Sequence, residues 1–273
     1  MAAIVAVVSD THINSTIGLC PPRVQLDDGG TYRPSRFQRE LWRCWGEFWG
    51  VVQQRREGLP LFVVLNGDLV DGDHHDTSQL VSRNLETQGR MAVEVLDPMA
   101  QMADQLFVIR GTEAHTGPSA MWEEFLGRDL GAVGDDIAGT ASWWWLPLEV
   151  DGVRFDFAHH PGTSSRRPWT RGGAANRLAA WVLNDYAEAG DRPPHLVFRS
   201  HNHVYEDSGN NHAVRAIITP CWQLTTGFGH RVGGSGKLAD IGGVIVECQD
   251  GHYQLEVQRY RPRRRKSWRA TSG

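Results

Sequence analysis

Acidic and imidazole residues recur at the ends of short apolar runs, and this recurrence constrains the fold more than any other feature of the sequence. Five blocks follow such runs: Asp10-Thr-His12, Gly67-Asp68 with Asp71-Gly72, Glu113-Ala-His115, His159-His160 and His201-Asn-His203. Apolar, β-branched runs of this length are typical of buried strands. In open α/β sheets, ligands gather beyond the carboxyl ends of the strands, so we expect the five blocks to converge in space.

The order of elements in the first half of the chain predicts an α/β fold. Short apolar strands at 4–8, 61–65 and 106–109 alternate with helical segments. The first helix should begin after Ser35, and the second should cover 78–105. This alternation is typical of a parallel sheet with helical crossovers.

The second half of the chain has antiparallel character and predicts a second sheet. Apolar runs on both sides of Asp151-Gly152 indicate a hairpin. A helix is expected at 172–189, with inward side chains at Leu178, Trp181, Val182 and Tyr186. Further strands are expected at 195–198, 213–218, 241–248 and 253–257.

The composition indicates an ordinary globular protein. Of 273 residues, 40% are hydrophobic and 22% are charged, and no run approaches the roughly 18 apolar residues that a membrane span needs. The first residues lack the basic region of a signal peptide. The four cysteines form no C-x-x-C pair, which argues against a cysteine zinc site. Reduced thiols and a cytoplasmic location are therefore expected.

The residue types in the five blocks favour a metal site. In an extended segment, residues i and i+2 face the same side, so Asp10 with His12 would present two ligands to one point. His201 and His203 would do the same. A mixed Asp/His set without cysteine suits zinc, manganese or iron. A carboxylate such as Asp68 can bridge two cations about 3.5–4 Å apart, the spacing that clamps the attacking and leaving oxygens in phosphoryl displacement.

Taken in order, the blocks resemble the motifs of the calcineurin-like metallophosphoesterase superfamily across residues 4–204. The resemblance implies a four-layer fold, with two sheets packed face to face and helices outside. It implies two divalent cations, manganese first with zinc, iron or magnesium as alternatives, and a bridging water as the nucleophile. Carried over to this chain, it assigns Asp10, His12 and His203 to one metal. It assigns Asp68 to the bridge, and His159 and His201 to the second metal.

The third block departs from the family pattern. The family reads Gly-Asn-His there, with the Asn on the second metal and the His near the leaving group, whereas this chain reads Gly111-Thr-Glu-Ala-His115. Glu113 or Thr112 would have to replace the Asn. His115 would still act as the general acid, because an imidazole titrates in the useful range. If neither replacement works, the second metal binds loosely and the protein is slow or inactive.

Residues beside the blocks have less specific roles. Asp71 and His160 are expected to orient ligands rather than to bind metal. Three arginines follow the fourth block: Arg166, Arg167 and Arg171. They either lie in a solvated loop or bind substrate, since arginine forks match phosphate oxygens.

The charge of the chain is unevenly distributed. The net charge is −4, yet seven basic and no acidic residues lie between Arg259 and Arg269. We therefore expect a metallophosphoesterase domain at 1–258 and a flexible basic tail at 259–273. The tail either solubilises the chain or binds nucleic acid, whose bases would stack on Tyr260 and Trp268.

These observations favour hydrolysis of phosphodiester bonds in DNA or RNA. The resemblance extends to phage and prophage members of the superfamily and to SbcD-type repair nucleases. One alternative is a phosphomonoesterase or a small-molecule phosphodiesterase. Another is a weakly active binding or scaffold protein that keeps the same fold. No membrane partner is expected.

Overall fold

The computed structural model describes residues 2–73, 77–162, 172–227, 230 and 239–261. Two five-stranded sheets and five α-helices account for most of this part of the chain. Within the same ranges, no helix combines the length and the apolar character that crossing a bilayer requires.

The first sheet is built around the N-terminal strand, all six residues of which are buried. Its strands lie in the order β12 (His252–Tyr260), β11 (Ile241–Gln249), β1 (Ala3–Val8), β4 (Leu61–Leu65) and β5 (Gln105–Val108). β1, β4 and β5 are parallel, as the alternation of strands and helices predicted. β11 and β12 form an antiparallel hairpin that adds to β1. The expectation that this hairpin belongs to the second sheet was therefore wrong.

The second sheet comes from the middle of the chain. Its strands lie in the order β6 (Leu146–Val150), β7 (Val153–Phe157), β8 (Leu196–Arg199), β10 (Arg215–Ile218) and β9 (Glu206–Asp207). The predicted hairpin turn is confirmed, because Asp151 and Gly152 have φ angles of 46° and 80°. Both central residues of a type I′ turn need positive φ. A small ribbon of β2 (Val24–Gln25) and β3 (Thr31–Tyr32) lies in the long loop after β1.

Helices connect and cover the sheets. They are α1 (Arg36–Arg56), α2 (Leu85–Met102), α3 (Glu113–Thr116), α4 (Met121–Asp129) and α5 (Gly173–Ala189). Ser35 caps α1 as predicted, and Gln38 completes a capping box with it. α2 begins seven residues later than its apolar pattern suggested, and no signal in the sequence separated α3 and α4 from loop.

Three apolar clusters define four layers. The first joins α1 and α2 to the outer face of the first sheet, for example Phe48 against the strand residues around Val8. The second fills the space between the sheets, where Val5 and Val7 face Phe155 and its neighbours. The third holds α5 against the outer face of the second sheet. The predicted architecture, two sheets flanked by helices, is confirmed.

Two details differ from the sequence expectations. Trp181 was expected to point inward from α5, but 54% of its surface is exposed. β12 continues to Tyr260, and Arg259 pairs with Gly242, so the strand extends two residues beyond the expected domain boundary at 258. The last strand ends where its pairing with β11 ends, at Tyr260, and not where the basic residues begin.

Candidate metal centre

Loops that follow five strands meet at one edge of the two sheets. The side chains they bring there are Asp10, His12, Asp68, Thr112, His159, His201 and His203. The loops after β1 and β4 are joined by backbone hydrogen bonds. The Asp10 amide donates to the Gly67 carbonyl at 2.9 Å, and the His12 amide donates to the Asp68 carbonyl at 3.1 Å. The blocks therefore converge at the carboxyl ends of the strands, as their order in the sequence predicted.

The backbone at these positions is left-handed rather than extended. The φ angles are 51° at Asp10, 42° at His12, 53° at Asp68, 68° at His201 and 55° at His203. The prediction that the pairs Asp10/His12 and His201/His203 each converge through an extended segment was wrong in this respect. For residues other than glycine, such conformations cost about 1–3 kcal/mol each and cluster at functional sites. The cost falls here on the residues whose side chains must meet.

The first group of candidate ligands comprises Asp10, His12 and His203. Asp10 Oδ1 lies 3.2 Å from His203 Nε2 and 4.0 Å from His12 Nε2. The two imidazole Nε2 atoms are 3.1 Å apart. Donor atoms around a tetrahedral zinc ion lie about 3.4 Å apart, given metal–nitrogen bonds of about 2.0–2.1 Å. The three side chains are thus spaced as ligands of one cation.

The second group is centred on Asp68. Its Oδ2 lies 3.0 Å from His159 Nε2 and 3.8 Å from His201 Nδ1. His159 Nδ1 lies 2.7 Å from the Asn66 carbonyl and donates to it, which leaves Nε2 to face the carboxylate. Such an outer hydrogen bond fixes the tautomer of a metal-binding histidine. A Cβ on Gly67 would lie 2.4 Å from His159 Nδ1, so this approach requires glycine.

Buried polar atoms without hydrogen-bond partners test whether cations fit these groups. Asp10 Oδ1 and His159 Nε2 are both buried and make no well-aligned hydrogen bond, although a neighbouring ligand atom lies 3.2 Å and 3.0 Å away, respectively. Buried polar atoms in native proteins nearly always have a hydrogen-bond partner. Ligand atoms of Asp10, Asp68 and His159 also lie within 4.8 Å of one another, so the two groups adjoin. The donor set and its open positions fit two divalent cations.

The pKa values of the carboxylates and imidazoles are strongly coupled here. Burial would raise the pKa of Asp10, but His203 outweighs burial and lowers it to about 2. Burial is likewise outweighed at Asp68, where His159 lowers the pKa well below its usual value. Burial would lower the pKa of His159, but the Asp68 charge raises it to about 9. Both carboxylates are therefore ionised at neutral pH and available to a cation.

The third block places Thr112, not Glu113, beside the second group. The Thr112 hydroxyl lies 3.1 Å from Asp68 Oδ2 and 3.1 Å from His201 Nδ1. Glu113 is exposed and accepts a hydrogen bond from the Ser119 amide at 2.8 Å. Glu113 is the first residue of α3, and its carboxylate faces the chain that follows this short helix. The structure does not bring Glu113 to the site, contrary to its expected role as a ligand.

His115 lies at the edge of the first group and is held by Asp71. His115 Nδ1 is 2.8 Å from Asp71 Oδ1, and the same oxygen lies 3.4 Å from His12 Nδ1. The His115 ring packs edge-on against His12, with ring centroids 4.6 Å apart. Burial would lower the pKa of His115, but the Asp71 carboxylate raises it. Asp71 thus contacts two imidazoles of the site.

His160 is closer to the second group than the sequence pattern indicated. Its Nε2 lies 3.1 Å from the Thr112 hydroxyl. Burial, followed by the charges of His159 and His201, lowers the pKa of His160 to about 4, so the ring is neutral. The signal for this residue was the doubled histidine directly after a predicted strand. The three arginines expected near substrate (Arg166, Arg167 and Arg171) lie outside the described residues.

Comparisons with known proteins give weak similarities only. No protein-family model and no curated protein matches the chain. One similar solved structure is a dimetal phosphatase from Danio rerio, with 11% identity, 94% of this chain and 96% of that chain covered, and a TM-score of 0.46. Another is the purple acid phosphatase PPD1 from yellow lupin seeds, with 11% identity, 95% and 52% covered, and a TM-score of 0.46. Similarities at this level do not bear on function, which is therefore inferred from the side chains.

Proposed function

We propose that this chain is a metal-dependent phosphoesterase that hydrolyses phosphodiester bonds in nucleic acid. The observation that carries the proposal is the pair of adjoining Asp/His groups at the strand ends, with ligand atoms of Asp10, Asp68 and His159 within 4.8 Å of one another. Two carboxylates and several imidazoles at this spacing, without a thiolate, are a donor set for two divalent cations. Two cations held about 3.5–4 Å apart by such a donor set are the arrangement used for in-line phosphoryl displacement.

The residues divide into those that hold cations and those that hold ligands in place. Asp10, His12 and His203 would bind the first cation, and His159 and His201 the second, with Asp68 between the two. Bound cations would supply an activated water as nucleophile and positive charge against the phosphate oxygens. Behind these ligands, Asp71 faces His12 Nδ1 and the Asn66 carbonyl faces His159 Nδ1. These outer contacts fix which imidazole nitrogen points into the site.

His115 is the residue suited to protonate the leaving oxygen. The Nδ1 atom of His115 lies 2.8 Å from Asp71 Oδ1. Burial would lower the pKa of His115, but the Asp71 carboxylate raises it. The imidazole is therefore more fully protonated near neutral pH than a free histidine. A general acid contributes most when its pKa is close to the working pH.

The position of the last strand supports a polyanionic substrate. The Arg259 guanidinium lies 5.1 Å from the ring centroid of Tyr205, two residues beyond His203. Asp240, just before β11, donates its amide to the His203 carbonyl at 2.9 Å. The hairpin that ends in the basic segment is thus tied to a loop that carries a candidate ligand. Nucleic-acid backbones attract such arginine-rich segments through their phosphates.

The absence of an asparagine at Thr112 favours a second candidate, a weakly active binding protein with the same fold. A hydroxyl is a poorer metal ligand than an amide oxygen, and a loosely held second cation would slow the reaction. Turnover, rather than binding, separates these two proposals.

A substrate panel tests the proposed activity. Purified protein supplied with Mn²⁺ or Zn²⁺ should cleave bis-p-nitrophenyl phosphate and single-stranded DNA, and EDTA should abolish both reactions. Asp10→Asn should lose activity, whereas Asp191→Asn, at an exposed position outside the site, should not. Activity on p-nitrophenyl phosphate alone would indicate a monoesterase. A protein that binds metal but turns over none of these substrates would support the binding-protein alternative.

A further inference from the structure

His159 and His160 both face the second group, although they are adjacent in sequence. Within a strand, neighbouring side chains point to opposite faces of the sheet. β7 ends at Phe157, so the two histidines lie beyond the strand and escape this alternation. Their rings are 4.9 Å apart at an interplanar angle of 87°, and the His160 ring is also 4.9 Å from that of His201. One ligand atom from each of the three rings lies within 4.8 Å of the others.

The polar atoms of this cluster lie around the Thr112 hydroxyl and the Asp68 carboxylate. The Thr112 hydroxyl lies 3.1 Å from each of three atoms, Asp68 Oδ2, His160 Nε2 and His201 Nδ1. A hydroxyl donates one hydrogen bond and accepts two, so it satisfies all three atoms only when both imidazole nitrogens carry a proton. His159 Nε2 is buried, lacks a hydrogen-bond partner and points at the same carboxylate. A cation among these atoms would instead bind the lone pairs of the imidazole nitrogens and of Asp68.

We propose that His160 is a ligand of the second cation, at the coordination position that the family fills with an asparagine and this chain does not. The inference rests on the proposed function, since it concerns the same metal centre. The second site then consists of three imidazoles, from His159, His160 and His201, together with Asp68. Imidazole ligands suit zinc and ferrous iron, whereas oxygen ligands suit manganese and magnesium. The substitution of a nitrogen for an amide oxygen makes the second site selective for zinc over manganese.

Metal stoichiometry and affinity test this assignment without recourse to activity. Metal-free protein is titrated with Zn²⁺ and, separately, with Mn²⁺ by calorimetry, and bound metal is counted by mass spectrometry after desalting. Wild type should bind two zinc ions per chain. His160→Ala should keep one at full affinity and bind the second at least roughly 10–100-fold more weakly, the loss typical even of outer partners of metal ligands. His160→Asn should restore the second site but narrow its preference for zinc over manganese.

Two control variants separate a ligand from a residue that acts through Thr112. Thr112→Val removes the hydroxyl beside His160 and should weaken binding of the second zinc ion less than His160→Ala does, because the amide of residue 112 still donates to Asp68. His252→Ala changes an exposed histidine at the start of β12 and should have no effect. Equal losses in Thr112→Val and His160→Ala would overturn the assignment and leave His160 a positioning residue.

The outcomes also distinguish this inference from the proposed function. Two zinc ions of unchanged affinity in His160→Ala would overturn the role of His160 while the metal centre stands. A wild-type protein that binds no zinc would overturn both. Thermal melting of each metal-free variant confirms that it is folded before the titration is interpreted.

Discussion

At the scale of single residues, the pairing of His115 with Asp71 is the feature with the clearest kinetic consequence. His115→Asn should lower kcat by about 10²–10⁴-fold with little change in KM, the usual contribution of a general acid. The loss should be large for a substrate with an alkoxide leaving group and small for p-nitrophenolate, which leaves without a proton. Steady-state kinetics with both substrates measures it, and equal losses on the two would contradict the role.

Glu123 gives a second prediction at this scale, concerning stability. It is fully buried, accepts a hydrogen bond from the Leu69 amide at 3.2 Å, and its pKa is raised to about 8 by burial and then by the Asp68 charge. In the folded protein this carboxyl stays protonated at pH values where it is ionised in the unfolded chain. Its contribution to stability is therefore complete at acidic pH and is lost as the pH rises toward 8.

Glu123→Gln should remove this dependence, because the amide keeps an acceptor for Leu69 and never ionises. In metal-free samples, the melting temperature of wild type should fall between pH 6 and pH 9 more steeply than that of the variant, a difference that thermal scans detect. Parallel curves for the two proteins would show that the carboxyl is not held neutral.

Most candidate ligands could be predicted from the sequence. Their left-handed backbone conformation and the position of His160 beside them could not. Asp10, Asp68 and the later histidines could be named because each follows an apolar run, a local signal. Glu113 was named, with Thr112 as the alternative, because it lies in the block where the family has its Asn ligand. Whether it reaches the site depends on α3, a four-residue helix that no periodicity marks. His160 was expected only to orient ligands. Its side chain can face the second group because β7 ends at Phe157, and the sequence does not determine the end of a strand to within one residue.

At the scale of elements, the centre depends on close approach between the loops after β4 and β5. A Cβ on Gly111 would lie 2.3 Å from both the backbone nitrogen and Oδ1 of Asp68. Gly111→Ala should therefore displace Asp68, weaken metal binding and lower the melting temperature. Gly46→Ala, in the middle of α1 where nothing lies within 4 Å, is the matched control and should stabilise the protein by about 0.5–1 kcal/mol.

Calorimetric metal titration and thermal melting measure both glycine variants. Undiminished metal affinity in Gly111→Ala would show that the loops can separate without loss of the site. The strands and long helices themselves were predictable, because burial imposes a pattern on each. The partner of the β11–β12 hairpin was not, since an apolar hairpin carries no local mark of which sheet it joins.

At the scale of the whole molecule, β12 ends with Arg259 beside Tyr205, at the edge where the ligands meet. Truncation after Arg261 leaves β12 intact and removes five basic residues. The truncated protein should bind single-stranded DNA more weakly, and the slope of log affinity against log salt should flatten by up to about 3.5, at about 0.7 for each phosphate that is no longer neutralised. Fluorescence anisotropy across a salt series measures this, with turnover of bis-p-nitrophenyl phosphate as the control for an intact centre. An unchanged slope would show that the segment takes no part in substrate binding.

The central claim is that two cations share a centre built around Asp68. Metal content per chain, measured by mass spectrometry on wild type and on Asp68→Asn after equilibration with zinc, tests it most directly. Asp191→Asn, an exposed carboxylate outside the site, serves as the control. We predict two ions in wild type and in the control, and at most one in Asp68→Asn, because the carboxylate between the groups is lost. Equal metal content in all three proteins, or none in wild type, would contradict the claim.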